Sequence, residues 1–214
     1  MNVTLSGDTM MLVELEQTID PSVNQQVIAL AQRLDKRLGR LVRDIVPSYC
    51  AVGIHFDPLA TDLAALERIV QEEWRHVDRD HVPSPGPPLE IEVRYGGDDG
   101  PDLEAVAQWA GCSPARVIEW HSSRTYRVYM LGFVPGFCYM GRVDSRIAAP
   151  RRSVPRDRVP AGSVGIAGEQ TGVYPITSPG GWQLIGRTSA VMFDPGRADP
   201  TLLHPGDLVR FKPV

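Results

Sequence analysis

"HVPSPGPPLEIEVRY", residues 81–95, divides the chain into two kinds of sequence. Pro83, Pro85, Pro87 and Pro88 cannot sit inside a helix or a central strand, because proline lacks the amide donor and fixes φ. They mark a linker and place a domain boundary near residue 88, with one domain over 1–88 and a second over 89–214. "LEIEVRY" follows directly. It alternates apolar and charged residues with period two, as a strand with one buried face does.

Working back from that strand, the chain reads as alternating strands and helices. "TMMLVELE" is a short apolar strand. "PSVNQQVIALAQRLDKRL" carries Val23, Val27, Leu30, Ala31, Leu34 and Leu38 at helical spacing, with Pro21-Ser22 as its start signal. "VRDIVPSYCAVGIHFDP" reads as a strand pair or as one long strand bent at Pro47. "TDLAALERIVQEEWRHV" is a second helix, with Thr61 as expected N-cap and Leu63, Leu66, Ile69, Val70 and Trp74 on one face. Counting "LEIEVRY" as the last element gives β-α-β-β-α-β, the order of a ferredoxin-like split βαβ unit.

Working forward, the character changes. From about residue 125 come short strands punctuated by Gly and Pro: "TYRVYMLGF", "GSVGIAG", "TGVYPIT", "WQLIGRT" and "DLVRFKPV". Many short strands with frequent turn signals predict an all-β barrel or sandwich. The class expected is α+β, a small N-terminal α/β domain followed by a β domain.

Composition narrows the function classes. The 214 residues support a hydrophobic core without a disulfide or metal staple. The formal net charge is −4, from 22 basic and 26 acidic residues, which argues against nucleic acid or an anionic membrane as the main partner. The 3 cysteines, Cys50, Cys112 and Cys138, have neither disulfide-framework nor zinc-site spacing and fit a reducing cytoplasm. No signal peptide and no stretch of membrane-spanning length is expected.

Several segments are candidates for chemistry. "LGFVPGFCYMG", residues 131–141, holds two Gly-Phe pairs around the Pro135-Gly136 turn, too apolar for an ordinary loop and too glycine-rich for an ordinary strand. Residues 102–121, "DLEAVAQWAGCSPARVIEWH", have helix-turn-helix spacing at Ala107, Gly111 and Val117. The second helix offers a groove only Arg116, beside an unfavourable Glu119, so an αα-hairpin packed on the β domain is the favoured reading. His121 closes this segment and is a candidate acid or base, weighed equally against a structural role. "PRRSVPRDRVPAG" holds Arg151, Arg152, Arg156 and Arg158 on a proline-stiffened backbone. Arg151 and Arg152 are the stronger candidates for an anion site, against a plain solubilising run. The glycines of residues 162–188 match no nucleotide signature and are more simply barrel turns.

Taken together, "YGGDDGPDLEAVA", "LGFVPGFCYMG", "PRRSVPRDRVPAGSVGIAGEQTGVYPITSPGGWQLIGRT" and "LLHPGDLVRF" resemble the PxpB/KipI family, also called allophanate hydrolase subunit 1. The resemblance spans nearly the whole chain. It implies a cyclophilin-like β-barrel after the N-terminal α/β domain. It implies a cytoplasmic subunit of a 5-oxoprolinase, inactive alone, working with a PxpC-like barrel subunit and a PxpA-like subunit. Such a complex opens 5-oxo-L-proline to L-glutamate with ATP and magnesium, the ATP activating the lactam at its oxygen. Other members are described as inhibitors of a sensor histidine kinase, and related modules occur in allophanate and urea-degrading enzymes. Under this resemblance His121 would serve as acid or base, and Arg151 and Arg152 would bind anions. Gln170 and Tyr174 would hydrogen-bond the ring amide. Phe133 and Trp182 would wall it, with Pro135 in the same groove. No metal ligands are expected on this chain. Members mostly read "YGGEFGPDL" where this chain has "YGGDDGPDL", so Asp99 replaces an aromatic residue.

Overall fold

The chain divides into two units, Met1–Ser84 and Pro85–Val214. The structure, a computed structural model, describes residues 1–78 and 86–214. Pro83 and Pro85 of the proline-rich stretch, and His81, lie outside the described residues.

In the first unit, β1 (Asn2–Ser6) and β2 (Met10–Glu14) form a hairpin. Helix α1 (Pro21–Leu38) follows. The Asp20 carboxylate accepts from the Ser22 and Val23 amides at 2.8 and 3.3 Å, satisfying donors that a helix start leaves open. The apolar stripe read from the sequence is the buried one: Val23, Val27, Leu30, Ala31, Leu34 and Leu38. "VRDIVPSYCAVGIHFDP" resolves into two strands, β3 (Asp44–Pro47) and β4 (Ala51–His55), paired antiparallel. Helix α2 (Leu63–Arg75) is capped by Asp62 and not by Thr61, because the Asp62 carboxylate reaches the Ala65 amide at 3.1 Å.

The sheet order is β1-β2-β4-β3, with antiparallel neighbours throughout. The split βαβ arrangement is present, but its fourth strand is not the expected one. The N-terminal strand β1 takes that place, whereas "LEIEVRY" lies in the second unit. Periodicity identified both strands as strands. It carries no information about which sheet edge a strand will join.

In the second unit, β5 (Leu89–Tyr95) buries Ile91 and Val93 and turns Glu90, Glu92 and Arg94 outward. Two short helices follow, α3 (Leu103–Ala110) and α4 (Pro114–Ser122). Gly111, with φ +63°, ends α3 in the left-handed conformation that glycine adopts without penalty. Leu103, Val106, Ala107 and Val117 bury their side chains in the barrel's hydrophobic cluster, so this αα-hairpin packs on the barrel.

The remaining strands are β6 (Thr125–Leu131), β7 (Cys138–Gly141), β8 (Arg156–Val159), β9 (Ser163–Ala167), β10 (Gln170–Val173), β11 (Ser178–Gly180), β12 (Gln183–Arg187) and β13 (Leu208–Pro213). A closed seven-stranded barrel runs β10-β7-β6-β13-β5-β12-β9, and β8 pairs with β11 beside it. All barrel pairings are antiparallel except β5 with β13. Closure removes exposed sheet edges. The interior holds Val128, Met140, Val164, Ile166, Ile185 and Phe211, each contributing roughly 1.5–3 kcal/mol by burial. The protein is therefore of the expected α+β class, with a barrel in its second unit.

Candidate functional site

A second apolar cluster lies apart from the main barrel interior. Phe137, Val159, Ala167, Tyr174, Trp182 and Leu184 form it, with Val134 and Tyr139 packed against it. Phe137 is its hub. Its ring meets Tyr139 at 4.8 Å, Tyr174 at 5.1 Å, Trp182 at 5.3 Å and Phe133 at 5.7 Å, all edge to face. Edge-to-face contacts place the positive rim of one ring against the negative face of another, which fixes ring orientation as well as distance.

The glycines of residues 162–188 explain how so many rings fit. A Cβ on Gly172 would stand 3.3 Å from both Phe137 and Trp182 and 2.6 Å from the Cys138 carbonyl oxygen. One on Gly165 would stand 3.0 Å from the Trp182 Cβ. The Cys138 carbonyl and the two rings at Gly172, and the Trp182 Cβ at Gly165, occupy the space a side chain would need.

Above this cluster opens a cleft of ≈ 290 Å³, lined by Phe133, Phe137, Tyr139, Arg151, Pro155, Tyr174, Pro179, Gly180, Gly181 and Trp182. Phe137 and Trp182 are 1% and 5% exposed and form the floor, whereas Phe133 is 60% exposed. The six residues "GFVPGF" link β6 to β7, and within them Phe133 adopts φ +70°. A bulky residue in that region carries about 1–3 kcal/mol of backbone strain, and such strain clusters at functional sites.

Arg151 is the only cation among the lining residues of the cleft. It is exposed, and among the described residues it has no ion pair. Burial pushes the Tyr139 and Tyr174 hydroxyls up from their ordinary pKa, and Arg151 pulls both back down. The Trp182 amide next to the Tyr174 hydroxyl acts in the same direction as Arg151. The cleft thus joins flat apolar walls, two phenols and one guanidinium. That set suits a small, flat molecule bearing one carboxylate.

Arg152 faces elsewhere. Its Nη1 donates to Asp102 Oδ1 at 3.1 Å, and Arg156 Nη2 donates to the same oxygen at 2.8 Å. The other Asp102 oxygen accepts the Leu184 amide at 2.7 Å. Asp102 is only 4% exposed. Adjacent arginines alike in sequence have therefore separated, one into the cleft and one onto a buried carboxylate in a half-buried ion cluster.

The structure also separates His121 from the cleft. His121 is fully buried against the barrel. The Thr171 hydroxyl donates to the Gly165 carbonyl at 3.0 Å, so it accepts from His121 Nε2 at 2.9 Å. Nδ1 then accepts from the Tyr95 hydroxyl at 2.7 Å. The ring stacks on Phe211 at 4.8 Å, and its backbone carbonyl accepts from the Tyr126 hydroxyl at 2.7 Å. Burial lowers its pKa to about 3, fixing the neutral form. The acid–base role expected of His121 finds no support in this placement. Gln170 begins β10, paired opposite Gly141 and Ala167 and outside the cleft lining. Pro135 is exposed in the β6–β7 turn, also outside the lining. Of the expected site residues, Phe133, Arg151, Tyr174 and Trp182 come together. Sequence reasoning left out Asp102, and it reached Tyr139 only as part of the apolar 131–141 segment. The GFVPGFCYM segment pointed to Tyr139; nothing local pointed to Asp102.

The family described as carboxyltransferase domain, subdomain C and D, matches residues 1–203. This chain belongs to that family. Among its carboxyltransferase-domain relatives, the 5-oxoprolinase B subunit of Escherichia coli O157:H7 is 46% identical, over 98% of this chain and 94% of its own length. The protein of the same name from Bacillus subtilis strain 168 is 41% identical, over 96% of this chain and 89% of its own. The solved structure of TTHA0988 superposes with a TM-score of 0.85 at 36% identity, covering 96% of this chain. This carboxyltransferase-domain chain spans 40% of the length of TTHA0988. Among the described residues no helix is long and apolar enough to cross a membrane, and no group of three or more His, Cys, Asp or Glu residues is placed to hold a metal ion.

Proposed function

We propose that this chain is the B-type subunit of an ATP-dependent 5-oxoprolinase, and that the aromatic cleft binds 5-oxo-L-proline. The observation that carries the reading is the pairing of aromatic walls, packed edge to face, with the guanidinium of Arg151, the one cation on the cleft lining. Similarity to proteins named as the B subunits of 5-oxoprolinases supplies the reaction class. The substrate is a flat five-membered lactam with one carboxylate. Arg151 pairs the carboxylate through two parallel N–H···O bonds. Phe133 and Trp182 cover the ring faces and exclude water. The Tyr174 hydroxyl donates to the ring carbonyl, holding the lactam in one orientation.

In this reading the cleft takes the lactam and not the nucleotide. A triphosphate carries several negative charges, and the lining offers one cation. ATP and magnesium belong, in this reading, to the PxpC-like and PxpA-like partners, and this chain supplies substrate binding and orientation.

The test is ATP-dependent glutamate release from 5-oxoproline, by this chain alone and then with both partner subunits. Release only from the mixture is the expected result. A mixture of folded subunits that releases no glutamate refutes the reading. Release that is indifferent to Arg151→Ala removes the cleft from it.

A further inference from the structure

We infer that Asp102 is a positioning residue for the cleft, acting through Arg152 and Arg156 on the placement of Arg151. The inference rests on the cleft reading above. Arg151 stands on a short arch that is fixed on both sides. Before it, the Pro150 carbonyl accepts from Gln183 Nε2 at 2.9 Å. After it, the Arg152 amide donates to the Gly181 carbonyl at 2.8 Å. The Arg152 and Arg156 side chains then converge on one oxygen of Asp102. Asp102 is itself tied to β12 twice: its amide donates to the Leu184 carbonyl at 2.9 Å, and its Oδ2 accepts the Leu184 amide. Gly181 and Trp182, on the cleft lining, immediately precede β12. One buried carboxylate therefore links the arch carrying the cation to the strand that follows the aromatic floor.

The charges sharpen the inference. Arg152 and Arg156 share a single neutralising carboxylate, and Arg151 lines the cleft, which leaves the arch side of the cleft cationic. Asp102→Asn deletes that carboxylate and makes the region more positive still. If only the field mattered, an anionic substrate would bind the variant more tightly. If position matters, it binds less tightly, because the two guanidiniums lose their shared counter-charge and the new amide NH2 must face either them or the Leu184 N–H, which releases the arch.

The experiment is steady-state kinetics of the assembled complex with wild type, Arg151→Ala, Asp102→Asn and the double variant. The inference expects KM for 5-oxoproline to rise about tenfold in Asp102→Asn with kcat nearly unchanged, as for lost uniform binding. It further expects the double variant to match Arg151→Ala alone, because a positioning residue has nothing left to position. A merely structural role gives additive losses and a fall in kcat, and overturns it; so does an unchanged or lowered KM. If Asp102→Asn does not fold, Arg152→Gln replaces it. That variant keeps the Asp102–Arg156 pair, and the same KM-only, non-additive pattern is expected in smaller degree. A wild-type complex that releases no glutamate refutes the proposed function instead. The clamp is then judged from crystal structures, where an Arg151 unmoved by Asp102→Asn overturns the inference.

Discussion

Acid should weaken the barrel through one residue. His121 is neutral and enclosed, facing Tyr95 on β5, Thr171 on β10, Tyr126 on β6 and Phe211 on β13. In the unfolded chain its pKa is near 6.5, and in the folded protein burial lowers it to about 3. Between those values the unfolded state binds a proton that the folded state refuses. Stability from this group is therefore complete above pH 6.5 and is lost as pH falls toward 3. Each pH unit is worth about 1.4 kcal/mol, so the loss approaches about 5 kcal/mol at the bottom of the window. Urea unfolding at pH 7.5, 6.0, 5.0 and 4.0 measures the slope. His121→Gln keeps an amide to hydrogen-bond Thr171 and Tyr95 but cannot charge. It should start less stable at pH 7.5 by about 1–3 kcal/mol and show a flatter slope down to pH 4. Equal slopes in the two proteins would refute the argument. The same variant, folded and assembled at pH 7.5, should still turn over substrate. Abolished turnover with an intact fold would return His121 to the chemistry.

Arg151→Ala should raise KM for 5-oxoproline by about ten- to a hundredfold in the assembled complex, the worth of a charge-assisted hydrogen bond of roughly 1.5–3 kcal/mol, with kcat little altered. Phe137→Ala removes the hub of the aromatic cluster and should cost about 3–5 kcal/mol in chemical denaturation. Gly172→Ala should destabilise by about 1–3 kcal/mol through overpacking, first against the Cys138 carbonyl and then against Phe137 and Trp182, visible as a lowered Tm and altered tryptophan fluorescence. Phe133→Gly should raise Tm, because glycine adopts φ +70° without strain, and should weaken substrate binding because a cleft wall is gone.

Local pattern carried the elements well. The stripe from Val23 to Leu38, the alternation of "LEIEVRY" and the Gly-Pro punctuation of the second half each report which face a segment buries, and burial follows from nearest neighbours in sequence. Pairing partners do not. Nothing in "LEIEVRY" distinguishes the edge of the small sheet from a place between β12 and β13. The site was legible in part for the same reason. Phe133, Tyr174 and Trp182 stand out as large rings among glycines, a contrast visible in the string. Arg151 and Arg152 are chemically identical neighbours, and only Asp102, some fifty residues earlier, decides that they point apart. His121 looked equivocal because a histidine's role depends on whether it is wet, and its enclosure comes from four separate strands.

The pairing of β5 with β13 has a consequence in time. Leu89 and Val209 are partners, as are Ile91 and Phe211. The strand that opens the barrel in sequence waits for the one that completes it, and every intervening strand must be synthesised first. Loop closure over such a span is entropically costly, and folds governed by remote pairings form slowly. A chain emerging from the ribosome can form the first unit's sheet early, since its strands lie within 2–55. The barrel then stands open, with the edges of β5 and β6 unpaired until residues 208–213 are released.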